Sequence, residues 1–510
     1  MSTPSRTDPL HWLDAALASH PARPLMRTAD GAISTYRDMA VRSAQLSVAL
    51  TEYGVRPGDR VVAQIDKSPD AVALYLACLR AGAVFVPLNT AYTLAELEYF
   101  VADADAQLCV VRPHDADSVR RAIASTRAIA TLDTNGAGTL AEAVRSSARL
   151  DEASSQRAPH ELAALLYTSG TTGRSKGAML SRANLASNAA TLVAAWRFTA
   201  ADVLLHALPI FHVHGLFVAI NTVLAAGASM LFLNRFDAAE VVERLPEATV
   251  LMGVPTFYTR LLQQPALSHD RASRMRLFVS GSAPLLAETH REFRARTGHA
   301  ILERYGMSET LMNTSNPYDG ERVPGSVGPP LPDVQVRITE PQSGMPLVAP
   351  NAIGMIEVRG PNVFSGYWRM PEKTAAEFRP DGFFITGDLG RIDARGYVFI
   401  VGRDKDVVIT GGYNVYPSEV EAEIDALEGV AESAVIGVPH ADFGEAVAAV
   451  VVLKGGFSTD EDTIRARLEQ RLAKYKVPKR VLFVTDLPRN AMGKVQKNLL
   501  RERHAALFAS

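Results

Sequence analysis

A run rich in glycine, serine and threonine, with a basic end, occupies residues 167–177 and reads YTSGTTGRSKG. Its glycines let the backbone approach a ligand closely, its hydroxyls can donate hydrogen bonds, and Arg174 and Lys176 add positive charge. The apolar run at residues 162–168 predicts a buried strand that ends in this segment. These residue types predict a loop that binds phosphate oxygens. For a glycine-rich run taken alone, a polar surface loop is an equal alternative.

The spacing excludes the Walker loop of P-loop NTPases. That loop ends in Gly-Lys followed by Ser or Thr, whereas Lys176 follows Ser175 and precedes Gly177. A nucleotide at this segment is therefore bound in another way.

Two further charged side chains lie in runs of small residues. Glu309 follows a strand-like run at residues 301–305 and is flanked by Ser308 and Thr310. A carboxylate beside hydroxyls suits Mg²⁺ that is shared with phosphate oxygens, because this ion usually keeps only one or two protein carboxylates. A helix cap is the alternative for Glu309. Lys494 follows a glycine near the end of the chain, where an ordinary solvated lysine is the alternative.

Two histidines, His212 and His214, follow a predicted strand at residues 203–208. Open α/β sheets bind ligands beyond the carboxyl ends of their strands, so both histidines are expected to line a pocket. A His-x-His pair can also bind a metal ion, but no third ligand with suitable spacing lies near. The pocket wall is therefore the favoured interpretation.

The elements that must position these residues alternate between helical and strand patterns in the first part of the chain. Helical patterns at residues 36–52 and 68–81 are separated by short apolar runs at residues 59–64, 83–87 and 107–111. This alternation predicts α/β units with a mainly parallel sheet. Further strands are expected at 250–253 and 277–280, and a helix capped by Ser181 is expected to run to about Trp196.

The pattern changes twice towards the end of the chain. Residues 333–401 carry short strands with frequent glycine and proline, which predicts a small antiparallel sheet or barrel. A compact charged segment at 402–406 precedes a new α+β pattern of about a hundred residues, which is long enough for a separate domain. We therefore predict an α/β fold with a large N-terminal domain, residues 1–402, of mainly parallel α/β subdomains plus a small β-rich subdomain. A smaller, mobile α+β C-terminal domain follows at residues 403–510.

Composition excludes several classes of protein. The 510 residues contain 53 Lys and Arg against 55 Asp and Glu, so the net charge of −2 does not indicate nucleic-acid binding. Cys78 and Cys109 stand in apolar surroundings without metal-ligand spacing, which predicts buried thiols in a reducing compartment. The first residues lack a signal-peptide pattern, and no run is apolar for long enough to insert into a membrane. A cytoplasmic protein is expected, and nothing in the sequence indicates its oligomeric state.

Six runs occur together in one order: YTSGTTGRSKG, YGMSET, FITGD, GRDKD, GGYN and NAMGKVQK. On these runs, the chain resembles the adenylate-forming superfamily of acyl-CoA synthetases, luciferases and peptide-synthetase adenylation domains, over about residues 10–500. The resemblance implies a reaction in two steps. A carboxylate first attacks the α-phosphate of ATP to give acyl-AMP and pyrophosphate, and a thiol, usually of coenzyme A, then displaces AMP. ATP, Mg²⁺ and coenzyme A are thus the implied cofactors and co-substrates.

The resemblance also implies a role for each matching residue. Lys494 is expected to bridge the α-phosphate and the attacking carboxylate, Glu309 to hold Mg²⁺, and Asp388 with Arg403 to bind the ribose; His212 and Lys176 complete the expected catalytic set. The residues implied to contact phosphate are Thr168, Ser169, Gly170, Thr171, Thr172, Gly173, Lys176 and Ser308, and those implied to pack about the adenine are Gly281, Ser282, Ala283, Pro284, Arg304, Tyr305 and Gly306.

The family resemblance further implies that the C-terminal domain rotates between the two steps. The pivot falls on Lys405, and rotation would withdraw Lys494 and bring Gly411 and Gly412 to the thiol. The chain departs mildly from the family pattern, for example with Lys497 at a position where arginine is usual. This change keeps the charge.

Within the superfamily, the runs SGTTGRSKGAMLS, LPIFHVHGLF, GVPTFYTRLL, SGSAPL and RYGMSETLMNTSNPYDGERVPG resemble the malonyl-CoA synthetases most. They imply ATP-dependent ligation of malonate, a small dicarboxylate, to coenzyme A, with methylmalonate accepted if Met307 leaves room for the methyl group. Arg260 is the expected partner of the second carboxylate, with Ser280, Ser282 and His212 beside it. A helix-surface arginine is the alternative for Arg260.

Other functions stay open from the sequence. A synthetase for another short or medium-chain acid, an adenylation enzyme that loads a separate carrier protein, and a luciferase-like oxygenase share the same general motifs. A non-enzymatic binding role is disfavoured, because the charged residues needed for both reaction steps are all present.

Overall fold

The computed structural model describes residues 7–123, 128–144, 157–168, 175–440, 442–490 and 493–508. Within them the helices are α1 (Leu10–Ser19), α2 (Tyr36–Glu52), α3 (Pro69–Ala81), α4 (Leu94–Ala104), α5 (Ala116–Ala122), α6 (Thr139–Glu142), α7 (Arg182–Ala195), α8 (Asn221–Ala226), α9 (Ala238–Arg244), α10 (Pro255–Leu262), α11 (Ala287–Thr297), α12 (Pro371–Ala376), α13 (Pro417–Asp425), α14 (Glu461–Glu469) and α15 (Lys497–Arg503). A π-helical segment, His214–Ile220, leads directly into α8.

The strands in the same described residues are β1 (Pro24–Thr28), β2 (Ile33–Thr35), β3 (Arg60–Gln64), β4 (Val84–Pro87), β5 (Ala106–Val111), β6 (Ala128–Thr131), β7 (Leu162–Thr168), β8 (Lys176–Ser181), β9 (Val203–His206), β10 (Ser229–Phe232), β11 (Val250–Gly253), β12 (Leu277–Ser280), β13 (Leu302–Met307), β14 (Leu311–Ser315), β15 (Gln335–Thr339), β16 (Gly354–Arg359), β17 (Phe384–Ile392), β18 (Val398–Arg403), β19 (Val408–Thr410), β20 (Tyr413–Val415), β21 (Val430–His440), β22 (Gly444–Leu453) and β23 (Arg480–Val484).

Two large sheets form the core of the N-terminal part. One has the order β14-β13-β12-β11-β9-β10-β1-β2 and the other β6-β5-β3-β4-β7-β8. Pairing is parallel inside both sheets and antiparallel only at β13/β14, β1/β2 and β7/β8. The predicted parallel α/β organisation is confirmed. Helices alternate with the strands along the chain and cover both faces of the sheets. The strands are therefore buried on both sides.

The helices begin where the sequence provides caps. Thr35 and Asp38 form a capping box at the start of α2, and the Ser181 hydroxyl accepts from Asn184 N at the start of α7. Both helices were expected at these positions. Capping satisfies backbone N–H groups that have no partner inside the helix, and so fixes the point at which each helix leaves its strand.

Two smaller sheets follow. Strands β15, β16, β17 and β18 form an antiparallel sheet, as predicted for residues 333–401. The last sheet has the order β20-β19-β22-β21 with β23 beside β22, and separate clusters of buried apolar residues flank it. A short turn, Asp404–Asp406, joins β18 to β19. The expected fold class is confirmed, while the boundary at residues 402 and 403 stays a prediction.

One glycine shapes the hairpin between β13 and β14. A Cβ on Gly306 would lie 1.9 Å from the carbonyl oxygen of Leu311, so only glycine lets the two strands approach this closely. The hairpin brings Ser308 and Glu309 to its turn. Among the described residues, no helix is both long and apolar enough to cross a membrane.

Candidate active site

The predicted phosphate side of the cleft is a connected network of charged and hydroxyl groups. The hydroxyl of Tyr367 lies 2.7 Å from Glu377 Oε2 and 3.2 Å from Glu309 Oε1, and Thr168 Oγ1 lies 3.5 Å from the same Glu309 oxygen. Buried Lys176, at the start of β8, reaches Glu377 Oε1 at 3.5 Å and stands 4.8 Å from the centre of the Tyr367 ring. Thr168 and Lys176 are therefore brought together with Glu309, as expected.

Five of the predicted phosphate contacts, Ser169, Gly170, Thr171, Thr172 and Gly173, lie outside the described residues. The strands on either side of them, β7 and β8, form an antiparallel pair in which Thr168 stands opposite Lys176. Of the described residues that flank this segment, Thr168 therefore lies beside Glu309, and Lys176 lies opposite Thr168.

The residues of this network fit a magnesium ion. Tyr367 has one hydroxyl hydrogen for two neighbouring carboxylates, so the second carboxylate needs a proton or a cation. Burial raises the pKa of Glu309, which means that this buried carboxylate gains most from a cation. Burial acts upwards on Glu377 too, but hydrogen bonds from Lys373 and Tyr367 and the charge of Lys176 outweigh it and lower the pKa. A carboxylate and the Thr168 hydroxyl are hard oxygen donors of the kind that Mg²⁺ takes. No cluster of three or more His, Cys, Asp or Glu suited to a metal occurs in the part of the chain that the structure describes.

The predicted ribose side is built around Asp388 on β17. Arg403 Nε lies 2.7 Å from Asp388 Oδ1, and the Tyr305 hydroxyl donates to Asp388 Oδ2. Asp388 lies opposite Arg403 in the β17/β18 pairing, so the backbone register itself holds the ion pair. The charge of Asp388 raises the pKa of Arg403. Asp388 is thus a fixed acceptor at the edge of the cleft.

On the side of the cleft expected to hold the acid, buried polar atoms stand without partners. Nε and Nη2 of Arg304, Oγ of Ser280 and Nε2 of His214 have no hydrogen-bond partner among the described residues. Burial lowers the pKa of Arg304 to about 9. The pKa of His214 is also lowered, first by burial and then by the positive charge of Arg304. Ser282 Oγ lies 3.3 Å from His214 Nδ1, which places Ser282 in the same cluster.

The neighbour of Arg304 in the sequence cannot neutralise it. Successive side chains of a strand point to opposite faces, so Glu303 and Arg304 on β13 diverge. Glu303 Oε1 instead accepts from the backbone N–H of Gly325 at 3.1 Å. The guanidinium of Arg304 lies against the backbone of Gly281, where an added Cβ would come within 2.5 Å of its Cζ. An uncompensated buried guanidinium is a strong anion site.

His212 stands beside this cluster as a neutral imidazole. Its Nδ1 accepts from the backbone N–H of His214 at 3.2 Å, and burial, with the charges of Lys494 and Arg304, lowers its pKa to about 3. Because Nδ1 is an acceptor, the remaining proton of the neutral ring is on Nε2. His212 can therefore donate a hydrogen bond from Nε2 but cannot remove a proton there.

Arg260, the expected partner of the second carboxylate, makes no side-chain hydrogen bond or ion pair among the described residues, so its role stays a prediction. Helix α10 buries Phe257, Tyr258 and Leu261, and Arg260 falls on its exposed face. A helix that packs one face against the core turns the intervening positions towards water. Met307 is half-buried on β13, beyond Arg304.

The lysine loop of the C-terminal domain enters the cleft. A Cβ on Gly493 would lie 3.0 Å from Thr256 Oγ1 at the start of α10, which belongs to the N-terminal part. Lys494 is still open to water, but the walls of the cleft surround it. Desolvation lowers its pKa, helped by the charge of Arg403 and opposed by the charges of Asp388 and Glu309. The charge of Arg304 also lowers this pKa, so the groups that act on Lys494 come from three predicted parts of the site.

The remaining predicted residues lie at the edges. Gly411 and Gly412 form the turn between β19 and β20 with φ of 56° and 81°, a conformation that favours glycine. A Cβ on Gly411 would lie 3.4 Å from the Phe443 ring of the same domain. Lys405 is exposed in the turn between β18 and β19. Ala283 and Pro284 follow β12 at the mouth of the cleft, and Ser308 is half-buried in the β13/β14 turn.

Sequence reasoning missed Tyr367 and Glu377, and it did not consider Arg304 as a partner of the acid. Glu377 stands alone after α12, without a pattern that marks it. For Arg304 there was a signal: Glu303 and Arg304 are adjacent charges inside a strand that is otherwise buried. A buried charge without an adjacent partner indicates a ligand.

Comparison with known proteins identifies the family. Residues 13–368 match the model of the AMP-binding enzyme family, and residues 419–494 match that of the AMP-binding enzyme C-terminal domain. The chain belongs to the AMP-binding enzyme family. The expected adenylate-forming superfamily is thereby confirmed.

Members of the AMP-binding family with different acids are similar to this chain. It is 37% identical to the mitochondrial malonate–CoA ligase of Mus musculus, over 91% of this chain and 86% of that protein. It is 34% identical to the long-chain-fatty-acid–CoA ligase of Bacillus subtilis, over 92% of this chain and 90% of that protein. Overall similarity to these two enzymes therefore does not separate a diacid from a fatty acid.

Two crystal structures of one AMP-binding enzyme bear on the domain arrangement. MatB from Rhodopseudomonas palustris is 57% identical over 98% of this chain and 100% of that chain. Its ATP-bound structure matches with a TM-score of 0.95, and its apo structure with 0.84 at the same identity. The arrangement described here, with Lys494 in the cleft, resembles the ATP-bound one.

Proposed function

We propose that this protein joins malonate to coenzyme A in an ATP-dependent reaction through a malonyl-AMP intermediate, releasing pyrophosphate and AMP. The observation that carries the proposal is the buried guanidinium of Arg304, which has two nitrogens without partners among the described residues. The second carboxylate of malonate would supply them with a bidentate partner. Sequence similarity to malonate–CoA ligases from Mus musculus and Arabidopsis thaliana supports the same acid.

The cluster disfavours a monocarboxylic acid. The apolar tail of butyrate or a fatty acid would cover Arg304, Ser280 and His214 without satisfying their hydrogen-bonding atoms. A buried charge left unpaired typically costs several kcal/mol. After burial and Arg403, the charge of Arg304 also lowers the pKa of Lys494, so the two cations are near enough to interact, which suits an acid with few carbons between its two carboxylates.

In the first step, the residues present neutralise charge rather than form a covalent intermediate. We propose that Arg304 holds one carboxylate of malonate and that Lys494 bridges the other carboxylate and the α-phosphate. Lys176 would bind the departing phosphates, and Asp388 the ribose. Bound at Glu309 and Thr168, Mg²⁺ would supply positive charge to the phosphate oxygens. Fixed charges of this kind stabilise a transition state without reorganisation.

In the second step, His212 is suited to donate from Nε2 to an oxygen of the acyl group. A cavity of about 350 Å³ is lined by Pro209, Ile210 and Phe211, which lead to His212, and by Lys67 and Arg235. We propose that this cavity receives the pantetheine arm of coenzyme A, with the two cations near its phosphates. Rotation of the C-terminal domain about Lys405 would withdraw Lys494 and bring Gly411 and Gly412 towards the thiol.

We also propose a reducing compartment, the cytoplasm. Cys78 and Cys109 are free and buried, and burial raises the pKa of both thiols, to about 12 for Cys109. Such thiols pack as small apolar side chains.

The acid is tested by comparing Arg304→Met with Arg291→Met as a matched control on the exposed face of α11. Pyrophosphate release is measured with malonate, methylmalonate, succinate, acetate and butyrate. We expect wild type to prefer malonate, and Arg304→Met to lower kcat/KM for malonate by about 30-fold or more, because losing one partner of a buried charge pair costs about 2–5 kcal/mol. Arg291→Met should stay within about twofold of wild type.

Two outcomes would overturn the malonate assignment. One is a wild-type enzyme that activates butyrate as well as malonate, which would leave an acyl-CoA ligase for monocarboxylic acids. The other is a substrate preference that Arg304→Met leaves unchanged.

A further inference from the structure

The loop that carries Lys494 is tied to the body of the C-terminal domain by an arginine. Arg489 Nη1 donates to the carbonyl oxygen of Gly493 at 2.6 Å, and Arg489 Nη2 pairs with the carboxylate of Glu432 on β21. One guanidinium thus links the peptide next to Lys494 with a strand of the main sheet. A planar guanidinium can make both contacts at once, which lysine cannot.

Backbone contacts hold the base of the loop in the same position. Arg489 and Val495 form an antiparallel bridge, Asn490 N donates to the carbonyl oxygen of Lys494 at 2.9 Å, and Lys494 N donates to Asn490 Oδ1 at 3.0 Å. Gln496 N donates to the carbonyl oxygen of Pro488 at 2.8 Å. The loop is a small closed unit, and its orientation depends on how this unit is attached to the domain.

A second ion pair lies on the other side of Lys494. Lys497 Nζ stands 2.6 Å from Glu421 Oε1 on α13, and Glu421 also accepts from Val435 N at 2.7 Å. Lys497, which stands where the family usually has arginine, therefore still attaches the end of the loop to α13. Both ion pairs are half-buried, so their side chains are held more firmly than those of an exposed ion pair.

We infer that Arg489 is a positioning residue that acts through Lys494, by transmitting the orientation of the whole C-terminal domain to the lysine ammonium. The inference rests on the proposed function for its acid, for the role of Lys494 and for the rotation that withdraws Lys494 before thioester formation. Lys494 enters the cleft from a separate domain, so an error in the attachment moves the ammonium away from the reacting oxygens. A misplacement of about 1 Å can lower a rate by about 100-fold. Thioester formation, which takes place after Lys494 has been withdrawn, does not need the attachment.

The test separates the two half-reactions for Arg489→Met, Arg489→Lys and Glu432→Gln. Adenylate formation is followed by malonate-dependent exchange of pyrophosphate into ATP, and thioester formation by the reaction of supplied malonyl-AMP with coenzyme A. We expect Arg489→Met to slow exchange by about tenfold or more, with thioester formation within about twofold of wild type. Arg489→Lys, which keeps the charge but only one contact, should fall between wild type and Arg489→Met.

A double substitution and a control variant distinguish positioning from general damage. The variant with both Arg489→Met and Glu432→Gln should be no slower in exchange than Arg489→Met alone, since both changes break one link. Arg471→Met removes a more exposed ion pair with Glu423 in the same domain and should change neither half-reaction.

Equal loss of both half-reactions, or an exchange rate unchanged in Arg489→Met, would overturn the positioning role. Failure of the proposed function is distinguishable, because wild type would then not exchange pyrophosphate with malonate. In that case both half-reactions are measured with the acid that wild type activates, and the expected split between them is the same.

Discussion

The phosphate side and the acid side of one cleft treat buried charge in opposite ways. On the phosphate side, hydrogen bonds link Lys176, Tyr367, Glu377 and Glu309 into one network. On the acid side, two nitrogens of Arg304, with Ser280 Oγ and His214 Nε2, lack partners among the described residues. The first region balances its charges internally, while the second region can be balanced only from outside.

The difference separates what all family members need from what selects an acid. Triphosphate and Mg²⁺ bring both signs of charge, so a pre-paired network can exchange partners with them at little net cost. A carboxylate brings one sign only, and it gains most from a site that holds the opposite sign unpaired. We therefore expect selectivity for the acid to reside in the region whose buried charge has no internal partner.

The largest expected effect is on stability and concerns Glu303, a carboxylate that is buried on β13. Burial raises the pKa of Glu303 from 4.5 to about 8. Between these values the folded protein keeps a proton that the unfolded chain loses, so stability falls as pH rises from about 5 to above 8. Glu303→Gln removes this loss, which is on the order of 4 kcal/mol. Its midpoint of thermal unfolding should exceed that of wild type at pH 8.5, and the two should converge near pH 5.

Scanning calorimetry across this pH range checks the prediction, with Glu292→Gln on the exposed face of α11 as the control. A difference between Glu303→Gln and wild type that does not grow with pH would show that Glu303 is ionised at little cost. The cost of buried charge on β13 would then fall on Arg304 alone.

The second-largest effect is expected for Arg304→Met, which should lose activity but gain stability. Arg304→Met replaces an unpaired buried guanidinium by an apolar side chain, and should stabilise the ligand-free protein by about 2 kcal/mol. Malonate alone should raise the unfolding temperature of wild type but not of the variant, because a ligand stabilises the folded state that binds it. Thermal shift measurements with and without malonate provide both values. Destabilisation of the empty protein by Arg304→Met would mean that Arg304 has internal partners, and the contrast between the two sides would disappear.

The smallest expected effect tests the phosphate side, where the charges are paired. Tyr367→Phe removes the hydroxyl between Glu309 and Glu377 while leaving the charges in place. Partners of a metal ligand typically contribute about 10- to 100-fold to metal affinity, so the Mg²⁺ concentration for half-maximal adenylate formation should rise about tenfold. Tyr397→Phe, which loses a hydrogen bond to Glu321 outside the cleft, is the matched control. If the two variants have the same Mg²⁺ dependence, Glu309 does not bind the ion with the help of Tyr367.

Much of the fold and the general site followed from local sequence. The period of apolar residues and the capping residues predicted α2 and β7 at their observed bounds, because these signals are local. Asp388, Arg403, Glu309 and Lys494 were identified on runs that the family shares. Their meeting around one cleft is confirmed by the structure, while their roles in the reaction stay predictions.

The partner of the acid could not be predicted in the same way. Arg260 follows a strand end in the sequence and has suitable neighbours, but it is exposed on α10 without a side-chain partner among the described residues, so its role stays a prediction. Arg304 lies within a strand, and its lack of a partner depends on contacts with Gly281 and His214, which are distant in the sequence. Which charges remain unpaired is a property of packing, and no local pattern records it.

The divergence of Glu303 and Arg304 on β13 also constrains how the acid preference can change during evolution. Replacing Arg304 alone would leave Ser280 and His214 desolvated and unpaired, which is a poor surface for an apolar tail. Replacing those two first would weaken the site for a diacid before it could accept a fatty acid. A change from the proposed diacid to a fatty acid would therefore need several substitutions together, because each single one leaves buried polar atoms without partners.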